Sequence, residues 1–199
     1  MIELYGVNDT RAFRNRWMLE ELGLEYELVP VTEHETRTPE FLAINPNGHV
    51  PVLVDGGLKL VESMAINLYL AMRYGGGLWP ESLEDRARAV QWSFWVMLEA
   101  EEPIETALNH RYFFPEAERD AALGDDAERR AQAPLGVLNA ELAETPYLLG
   151  ESFTVADLNV AAVLLWARFG RIPLEPHPNL HGWFKRCVGR PARKRASKG

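Results

Sequence analysis

Apolar and polar residues recur in short, regular patterns over the first third of the chain, and these patterns predict a small α/β unit. Apolar runs at 2–5 and 26–31 indicate two short strands. Between them, apolar residues recur at steps of three and four, which predicts a helix from about Thr10 to Leu22: Phe13, Trp17, Met18 and Leu22. Gly23 suits the left-handed position that ends a helix. So short a strand, helix and strand predicts a parallel pair with a right-handed crossover.

The stretch 45–70 predicts a strand, a turn, a second strand and a helix. The run 50–54 contains β-branched residues, and Asp55, Gly56 and Gly57 supply a hairpin turn. The chain returns over 58–61, and Ser63 begins a helix. Together with the preceding segment this makes a βαβ unit followed by a ββα unit, which is the thioredoxin-like pattern.

Two features of this stretch indicate a binding site. Pro51 begins a strand, where it cannot donate to the ladder, and a cis bond before it would re-aim the backbone. The N–H and C=O of Val50 would then be free to pair with an extended peptide. Glu62 and Ser63 stand where a strand meets a helix, and helix N–H groups favour a carboxylate there. Glu62 can accept from an ammonium, so the expected ligand is a small peptide with a free α-amino acid end.

Beyond Gly75, Gly76 and Gly77 the pattern changes to helices alone, which indicates a domain boundary. Helices are expected over 83–111, with an interruption at Pro103, and over 127–143. Thr154 and Asp157 form a capping-box pattern before a nearly all-apolar helix that reaches about residue 169. We therefore predict two domains, a thioredoxin-like one over 1–76 and an all-α one over 84–199.

The segment HVPVL, followed by LVES and AI, resembles the glutathione site of the glutathione transferase superfamily. The capping-box helix and the segment HPNLHGWFKRCVGRPA resemble that family's second domain, so the resemblance covers essentially the whole chain. It implies that Val50, before a cis Pro51, pairs with the cysteinyl backbone of glutathione, and that Glu62 and Ser63 hold the γ-glutamyl head. It also places His49 and Arg37 near the glycyl end, although a solvated loop charge is an equal interpretation of Arg37.

The resemblance also suggests which residue activates the glutathione thiol. A free thiol with a pKa of about 8.5 is only about 3% thiolate at pH 7, and lowering that pKa by about two units requires about 2.7 kcal/mol. In plant-type members a serine two residues before Ala-x-Arg supplies a hydroxyl, and here Thr10 has that spacing. Thr10 as a mere helix cap is the equal alternative. Tyr5, which also suits the core, and Asn8 are the other candidates.

Composition limits the remaining possibilities. The single cysteine, Cys187, excludes an internal disulfide and fits a reducing cytosol. A net charge of −8 argues against a nucleic-acid surface, and the basic tail 190–199 is expected to be a solvated terminus. No apolar run reaches about 18 residues, and no leader is evident at 1–10, so neither a membrane span nor export is expected. His177 and His181 flank Pro178, which makes a metal site improbable.

These observations lead to one main hypothesis and three alternatives. The chain is expected to be a cytoplasmic detoxification enzyme that uses glutathione as co-substrate, without a metal, against a small hydrophobic electrophile, and the resemblance implies that it is a homodimer. A non-catalytic binding or scaffold protein of the same fold is one alternative, because fold does not fix function. The other two alternatives are a glutathione-dependent isomerase and a glutathione-dependent peroxidase. The sequence predicts neither the electrophile nor the residues of a dimer interface.

Overall fold

The computed structural model describes residues 1–32 and 34–198, and these residues form two compact units. The first unit combines residues 1–79 with residues 189–199, and the second comprises residues 80–188. The thioredoxin-like domain predicted over 1–76 lies in the first unit, and the second is built from helices alone.

The first unit contains a four-stranded sheet with the order β2-β1-β3-β4. Its elements are β1 (Ile2–Tyr5), α1 (Ala12–Leu22), β2 (Tyr26–Val29), a 3₁₀ turn (Glu35–Arg37), α2 (Pro39–Leu42), β3 (Val52–Asp55), β4 (Leu58–Val61), α3 (Ser63–Tyr74) and α9 (Pro191–Ala196). β1 and β2 are parallel, and the other two pairs are antiparallel. Leu4 and Leu53 are fully buried in the sheet, and Trp17 and Ile66 are fully buried on the helices α1 and α3, which pack together.

Three predicted boundaries in this unit shift for local chemical reasons. β3 begins at Val52, not at residue 50, because Pro51 has no N–H to donate to the ladder. α1 begins at Ala12, two residues after Thr10, because the Thr10 hydroxyl accepts from the Ala12 N–H at 3.2 Å and so closes a turn before the helix. The short helical turn expected over 41–45 is the helix α2, which begins earlier, at Pro39, because the Thr38 hydroxyl caps it by accepting from Phe41 N at 3.3 Å.

The basic C-terminal segment is ordered, so the expectation of a solvated, frayed terminus is wrong. It forms α9, which packs on α1. Arg190 makes a two-point ion pair with Glu21 at 2.7 and 2.8 Å, and Arg195 binds Glu20 at 2.8 Å. Because these contacts are with α1, the structure groups the segment 189–199 with the first unit, whereas the predicted division placed it in the second.

The second unit consists of α4 (Leu83–Trp95), α5 (Glu101–Leu108), α6 (Ala121–Glu141), α7 (Val155–Phe169) and α8 (Pro178–Val188). A π-helical turn, Val96–Ala100, joins α4 to α5, and another, Asn109–Phe113, follows α5. The interruption that was expected at Pro103 occurs at the first of these two π-helical turns. The Glu101 N–H bonds the Val96 carbonyl five residues back, and this wide turn ends just before a proline that has no N–H to continue a regular ladder.

Asp157 connects three segments of the second unit. The predicted capping box is present, and the Asp157 carboxylate accepts from the Thr154 N–H at 2.9 Å. It also accepts from the Leu148 N–H at 2.9 Å and from the indole N–H of Trp183 at 2.8 Å. The helix that it caps, α7, is buried along most of its length, as its apolar sequence predicts.

α6 starts six residues before the predicted position, because the Asp120 carboxylate caps it by accepting from the N–H groups of Ala122 and Leu123. Pro134 lies inside this helix. Among the helices of residues 1–32 and 34–198, none combines the length and the apolar character needed to cross a membrane.

Candidate active site

Three chain segments leave the sheet of the first unit at the same end. In the register of the sheet, Tyr5 at the end of β1 lies beside Val52 at the start of β3. Val52 lies in turn beside Val61 at the end of β4. The residues next to these three positions are Gly6, Pro51 and Glu62. The sheet therefore brings together the loop before α1, the segment before β3 and the start of α3, which carry most of the predicted site residues.

Val50 presents free main-chain groups at this end of the sheet. The Val50–Pro51 peptide bond is cis. Within the described residues, the N–H and C=O of Val50 have no hydrogen-bond partner. Its side chain packs against the cluster of Val31, Phe41 and Val52, which fixes the position of the backbone. These free groups are compatible with pairing to an extended peptide, and that role of Val50 stays a prediction.

Thr10 and Val50 converge on Gly6. Gly6 has φ 136°, and a β-carbon there would lie 2.6 Å from Ala12 Cβ, a contact that no side chain tolerates. The same point lies 3.5 Å from Thr10 Oγ1 and 3.4 Å from Val50 Cβ. The absence of a side chain at Gly6 thus allows the predicted hydroxyl and the predicted peptide-pairing segment to approach each other.

The hydroxyl of Thr10 bonds its own loop. It donates to the Val7 carbonyl at 2.7 Å and accepts from the Ala12 N–H at 3.2 Å. Because a hydroxyl has one hydrogen, Thr10 must turn that hydrogen away from Val7 before it can donate to a sulfur atom. In this conformation it acts as a turn and helix-start residue, the alternative that the sequence left open.

Glu62 and Ser63 form the junction between β4 and α3. Glu62 has φ 70° and ψ 112°, a backbone conformation that side chains rarely adopt, and its side chain is exposed. Ser63 is buried at the first position of α3. Its hydroxyl accepts from Arg14 Nη1 at 3.3 Å, which leaves the hydroxyl hydrogen available for a ligand.

A buried polar network beneath Ser63 was missed by the sequence reasoning. Arg14 and Asn15 on α1 and Asn67 on α3 are all at most 1% exposed. Asn15 Nδ2 donates to the Ser63 carbonyl at 2.8 Å and to Asn67 Oδ1 at 2.7 Å, and Asn67 Nδ2 donates to the Arg14 carbonyl at 3.3 Å. The helical period places Arg14 and Asn67 on the apolar faces of their helices, where a sequence pattern names no partner for a polar side chain. Only tertiary contact between α1 and α3 explains their burial.

Arg37 lies against the turn that carries His49, just before Val50. Arg37 Nη1 would lie 2.8 Å from a β-carbon at Gly48, which is the neighbour of His49. Both side chains are exposed, and the His49 carbonyl accepts from the buried Asn45 at 2.7 Å. Two side chains capable of carrying positive charge are therefore held near the peptide-pairing segment, where they could meet a carboxylate.

Family models match both parts of the chain. The model described as the N-terminal domain of glutathione S-transferase matches residues 1–72, and the C-terminal domain model matches residues 101–191. The chain belongs to the glutathione S-transferase family of enzymes. Glutathione S-transferase 3 of Zea mays is 35% identical over 208 residues, which cover 96% of this chain and 90% of that protein.

Two Escherichia coli relatives carry different names. Glutathione S-transferase GstB is 34% identical and covers 96% of this chain and 95% of its own. Disulfide-bond oxidoreductase YfcG is also 34% identical, with coverages of 96% and 92%. Among solved structures, the theta class glutathione S-transferase of Xanthomonas axonopodis pv. citri with glutathione bound superposes with a TM-score of 0.89 at 32% identity, covering 100% of this chain and 97% of that one.

The other two candidates for thiol activation in this glutathione S-transferase family member have partners of their own. The Tyr5 hydroxyl donates to Glu3 at 2.8 Å, and this bond, together with partial burial, raises the pKa of Tyr5. Tyr5 also packs against the Val31 cluster, so it is a core aromatic residue. Asn8 Oδ1 accepts from Arg16 at 2.9 Å.

The other predicted features of the chain lie in the second unit. His177 Nε2 contacts Gln132 at 3.1 Å, and His181 lies 3.9 Å from Glu175. The described residues contain no group of three or more potential metal ligands. Cys187 is fully buried in α8.

Proposed function

We propose that this protein binds glutathione at the end of the sheet described above and activates its thiol for attack on a small hydrophobic electrophile. The observation that carries the proposal is the sheet register that sets the free backbone of Val50, the loop of Thr10 and the Glu62–Ser63 junction side by side. The family assignment and the glutathione-bound relative support it.

The γ-glutamyl head of glutathione fits the junction between β4 and α3. Its α-carboxylate would receive the Ser63 hydroxyl hydrogen and the free N–H groups at the start of α3, which carries a partial positive charge. Arg14 adds a guanidinium behind Ser63, at 3.3 Å from its oxygen. The exposed carboxylate of Glu62 would accept from the α-ammonium.

The cysteinyl and glycyl parts would lie along the segment that precedes β3. The N–H and C=O of Val50 would pair with the cysteinyl backbone, as in strand addition. The glycyl carboxylate would lie near Arg37 and His49. In this orientation the thiol faces the loop of Thr10, because Thr10 and Val50 approach the same point above Gly6.

Thr10 would act after its hydroxyl rotates from the Val7 carbonyl toward the sulfur. A hydroxyl donor stabilises the thiolate more than the thiol, and so does the N-terminus of α1. The thiolate sulfur then attacks an electrophilic carbon of the second substrate. A carbon–sulfur bond forms, the leaving group departs with its bonding electrons, and the thiol proton goes to solvent.

A thiolate titration tests this proposal directly. The ultraviolet absorbance of the glutathione thiolate is followed against pH with and without saturating protein, and calorimetry on the same samples measures binding. We expect the thiol pKa to fall by one unit or more. Turnover is then measured with 1-chloro-2,4-dinitrobenzene, an activated aryl halide, from which chloride leaves. Binding without a pKa shift would contradict activation and indicate a carrier or scaffold protein.

Ser63→Ala provides the matched test of the head-group site. We expect weaker binding of glutathione by about 10-fold, because a carboxylate loses a hydrogen-bond donor. Ser93→Ala removes a similarly buried hydroxyl from the second unit and should leave the affinity unchanged. Equal affinity in Ser63→Ala and the unsubstituted protein would show that Ser63 does not hold the ligand.

The relative named as a disulfide-bond oxidoreductase favours a second candidate function, glutathione-dependent redox chemistry. The one cysteine of the chain is buried in α8, so a sulfur exchange would run between two glutathione molecules. In peroxide reduction, two glutathione thiols give up two electrons and two protons, and the peroxide becomes an alcohol and water. Glutathione disulfide formation with cumene hydroperoxide distinguishes this reaction from conjugation, in which no disulfide appears. An isomerase would consume no glutathione in either assay.

We also propose that the protein is a cytoplasmic homodimer. Among the exposed large apolar side chains of the second unit, Phe94 on α4, at 63%, and Leu98 just beyond it, at 75%, lie four positions apart. Neighbouring exposed apolar residues of this size are typical of contact surfaces. Sedimentation measures the mass, and we expect Phe94→Glu to shift it from that of a dimer to that of a monomer. Leu83→Glu, at another exposed apolar residue, is the control.

A further inference from the structure

Arg16 is a nearly buried cation that the proposed glutathione site does not use. It lies on α1, and only 9% of the residue is exposed. Its guanidinium donates in three directions: from Nη1 to Asn8 Oδ1 at 2.9 Å, from Nε to the Tyr26 hydroxyl at 3.0 Å and from Nη2 to the Lys198 carbonyl at 2.5 Å. A planar guanidinium with several donors fixes the mutual geometry of its acceptors more tightly than an ammonium can.

One of these acceptors lies inside the turn that orients Thr10. The Thr10 N–H and the Thr10 hydroxyl both donate to the Val7 carbonyl, at 3.1 and 2.7 Å. Asn8 is the residue that follows Val7, so the peptide that joins them carries this carbonyl. Holding the Asn8 side chain therefore limits the rotation of this peptide, which keeps the bond from the Thr10 N–H to Val7 and, with it, the position of the Thr10 hydroxyl beside the proposed sulfur site.

Another acceptor belongs to the C-terminal segment. The carbonyl of Lys198 follows α9, and the ion pairs of Arg190 with Glu21 and Arg195 with Glu20 hold that helix on α1. Because one guanidinium bonds both Lys198 and Asn8, a displacement of the C-terminal segment changes the restraint on the turn at residues 7–10. No sequence pattern indicates this link, because Arg16 and Lys198 are 182 positions apart.

We propose that Arg16 is a positioning residue through which the C-terminal segment after α9 sets the orientation of the Thr10 turn, and thereby the thiolate fraction of bound glutathione. The link between the C-terminal segment and the Thr10 turn does not depend on the proposed function. The effect on the thiolate fraction of bound glutathione rests on the proposed function. Arg16 touches neither the sulfur nor the Thr10 hydroxyl in this mechanism. Its effect should appear in the thiol pKa and in kcat, and the binding of the γ-glutamyl head should not change.

Two variants test the link from different sides. Asn8→Ala removes the acceptor in the turn, and Arg16→Lys keeps the charge but loses the planar fork. In both we expect the affinity for glutathione to stay within about 3-fold and the thiol pKa of bound glutathione to rise by about 0.5 to 1 unit, which lowers the thiolate-to-thiol ratio at a given pH about 3- to 10-fold. With an aryl halide, kcat should fall while KM for glutathione changes little. Arg186→Lys is the matched control, because Arg186 also donates to a main-chain carbonyl, that of Pro146 at 2.8 Å.

Amide hydrogen exchange separates this inference from the proposed function, because it needs no glutathione. In Asn8→Ala and Arg16→Lys the Thr10 amide should exchange at least about 10-fold faster, since its bond to Val7 opens more often, while α3 amides keep their rates. An unchanged Thr10 amide in both folded variants would overturn the link. Faster exchange without a change in the thiol pKa would overturn the positioning role. An unshifted thiol pKa in the unsubstituted protein would overturn the proposed function, and with it the role of Arg16 in activation.

Discussion

The hydroxyl of Thr10 donates to the carbonyl of Val7 at 2.7 Å, and this bond must break before Thr10 can donate to a thiolate. In the proposed mechanism, activation of glutathione thus begins with a competition between a main-chain oxygen and a sulfur anion. The thiolate is the stronger acceptor because it carries a full charge. The bond to Val7 therefore lowers the benefit of the hydroxyl without abolishing it.

Thr10 variants measure this competition. We expect Thr10→Val to keep glutathione affinity and to lower kcat about 10-fold, because the hydrogen-bond donor is lost while the shape is kept. Thr10→Ser should keep the activity, since it retains the donor and removes only a methyl group. Equal kcat in Thr10→Val and the unsubstituted protein would assign activation to the backbone N–H groups at the start of α1.

Gly6→Ala should damage both fold and site. A methyl group at Gly6 would lie 2.6 Å from Ala12 Cβ, and the backbone has φ 136°, which other residues rarely adopt. We expect a loss of about 2–4 kcal/mol in the free energy of unfolding, measured by urea denaturation. Gly57→Ala is the control, because no atom lies within 4 Å of its added methyl group, and it should change stability by less than about 1 kcal/mol. Similar losses in the two variants would contradict the close approach at Gly6.

Glu62 lowers the stability of the fold while its carboxylate is proposed to favour glutathione binding. Its φ of 70° is unfavourable for a side chain, so Glu62→Gly should raise the free energy of unfolding by up to about 1 kcal/mol. The same change removes the carboxylate proposed to accept from the γ-glutamyl ammonium and should weaken glutathione binding. Arg171→Gly relieves a similar conformation, φ 54°, outside the site and should stabilise without altering affinity. If Glu62→Gly binds glutathione as tightly as the unsubstituted protein, the carboxylate has no role in the site.

Sequence patterns reveal residues that act on their immediate neighbours and miss residues that act through distant contacts. The strand, turn and helix of 45–70, the cis Pro51 and the capping box at Thr154 are visible because proline, glycine and capping residues act on their own neighbourhood. The roles of Arg14, Asn67 and Arg16 are not visible to such reasoning, since their hydrogen-bond partners lie 8 to 182 positions away. The basic tail was misjudged for the same reason, because the two glutamates that bind it lie on α1.

Asp157 should contribute more stability than an ordinary helix cap. Its buried carboxylate accepts from Leu148, Thr154 and Trp183, so Asp157→Ala leaves several buried donors unpaired. We expect a loss of about 3 kcal/mol or more in the free energy of unfolding. Asp85 has the same position at the exposed start of α4, and Asp85→Ala should cost about 1 kcal/mol or less. Similar losses in the two variants would show that the contacts of Asp157 beyond the cap contribute nothing.

Asp55 links the hairpin of the first unit to α3 in a pH-dependent way. Partial burial opposes its ionisation, but hydrogen bonds from Tyr74 at 2.7 Å and Tyr69 at 2.8 Å outweigh that effect and lower the pKa of Asp55. The carboxylate also raises the pKa of Tyr74 to about 12.

The signs of these two shifts predict losses of stability at opposite ends of the pH scale. A lowered carboxyl pKa gives stability that is present above about pH 4 and is lost as pH falls through the folded-state value. A raised tyrosine pKa gives stability that is present below about pH 10 and is lost as pH rises toward 12. Urea unfolding of Tyr74→Phe against pH should show both dependences weakened, and an unchanged profile would rule out this pair as their source.

The burial of Cys187 keeps the folded protein from reacting with thiol reagents. Its one cysteine side chain is inaccessible in α8, so a thiol-reactive dye added to the folded protein with glutathione reports the ligand and not the chain. When the second unit opens, a single new thiol appears and reacts. The same reagent therefore counts free glutathione in the folded state and times the opening of the second unit under denaturing conditions, without a label or a substitution.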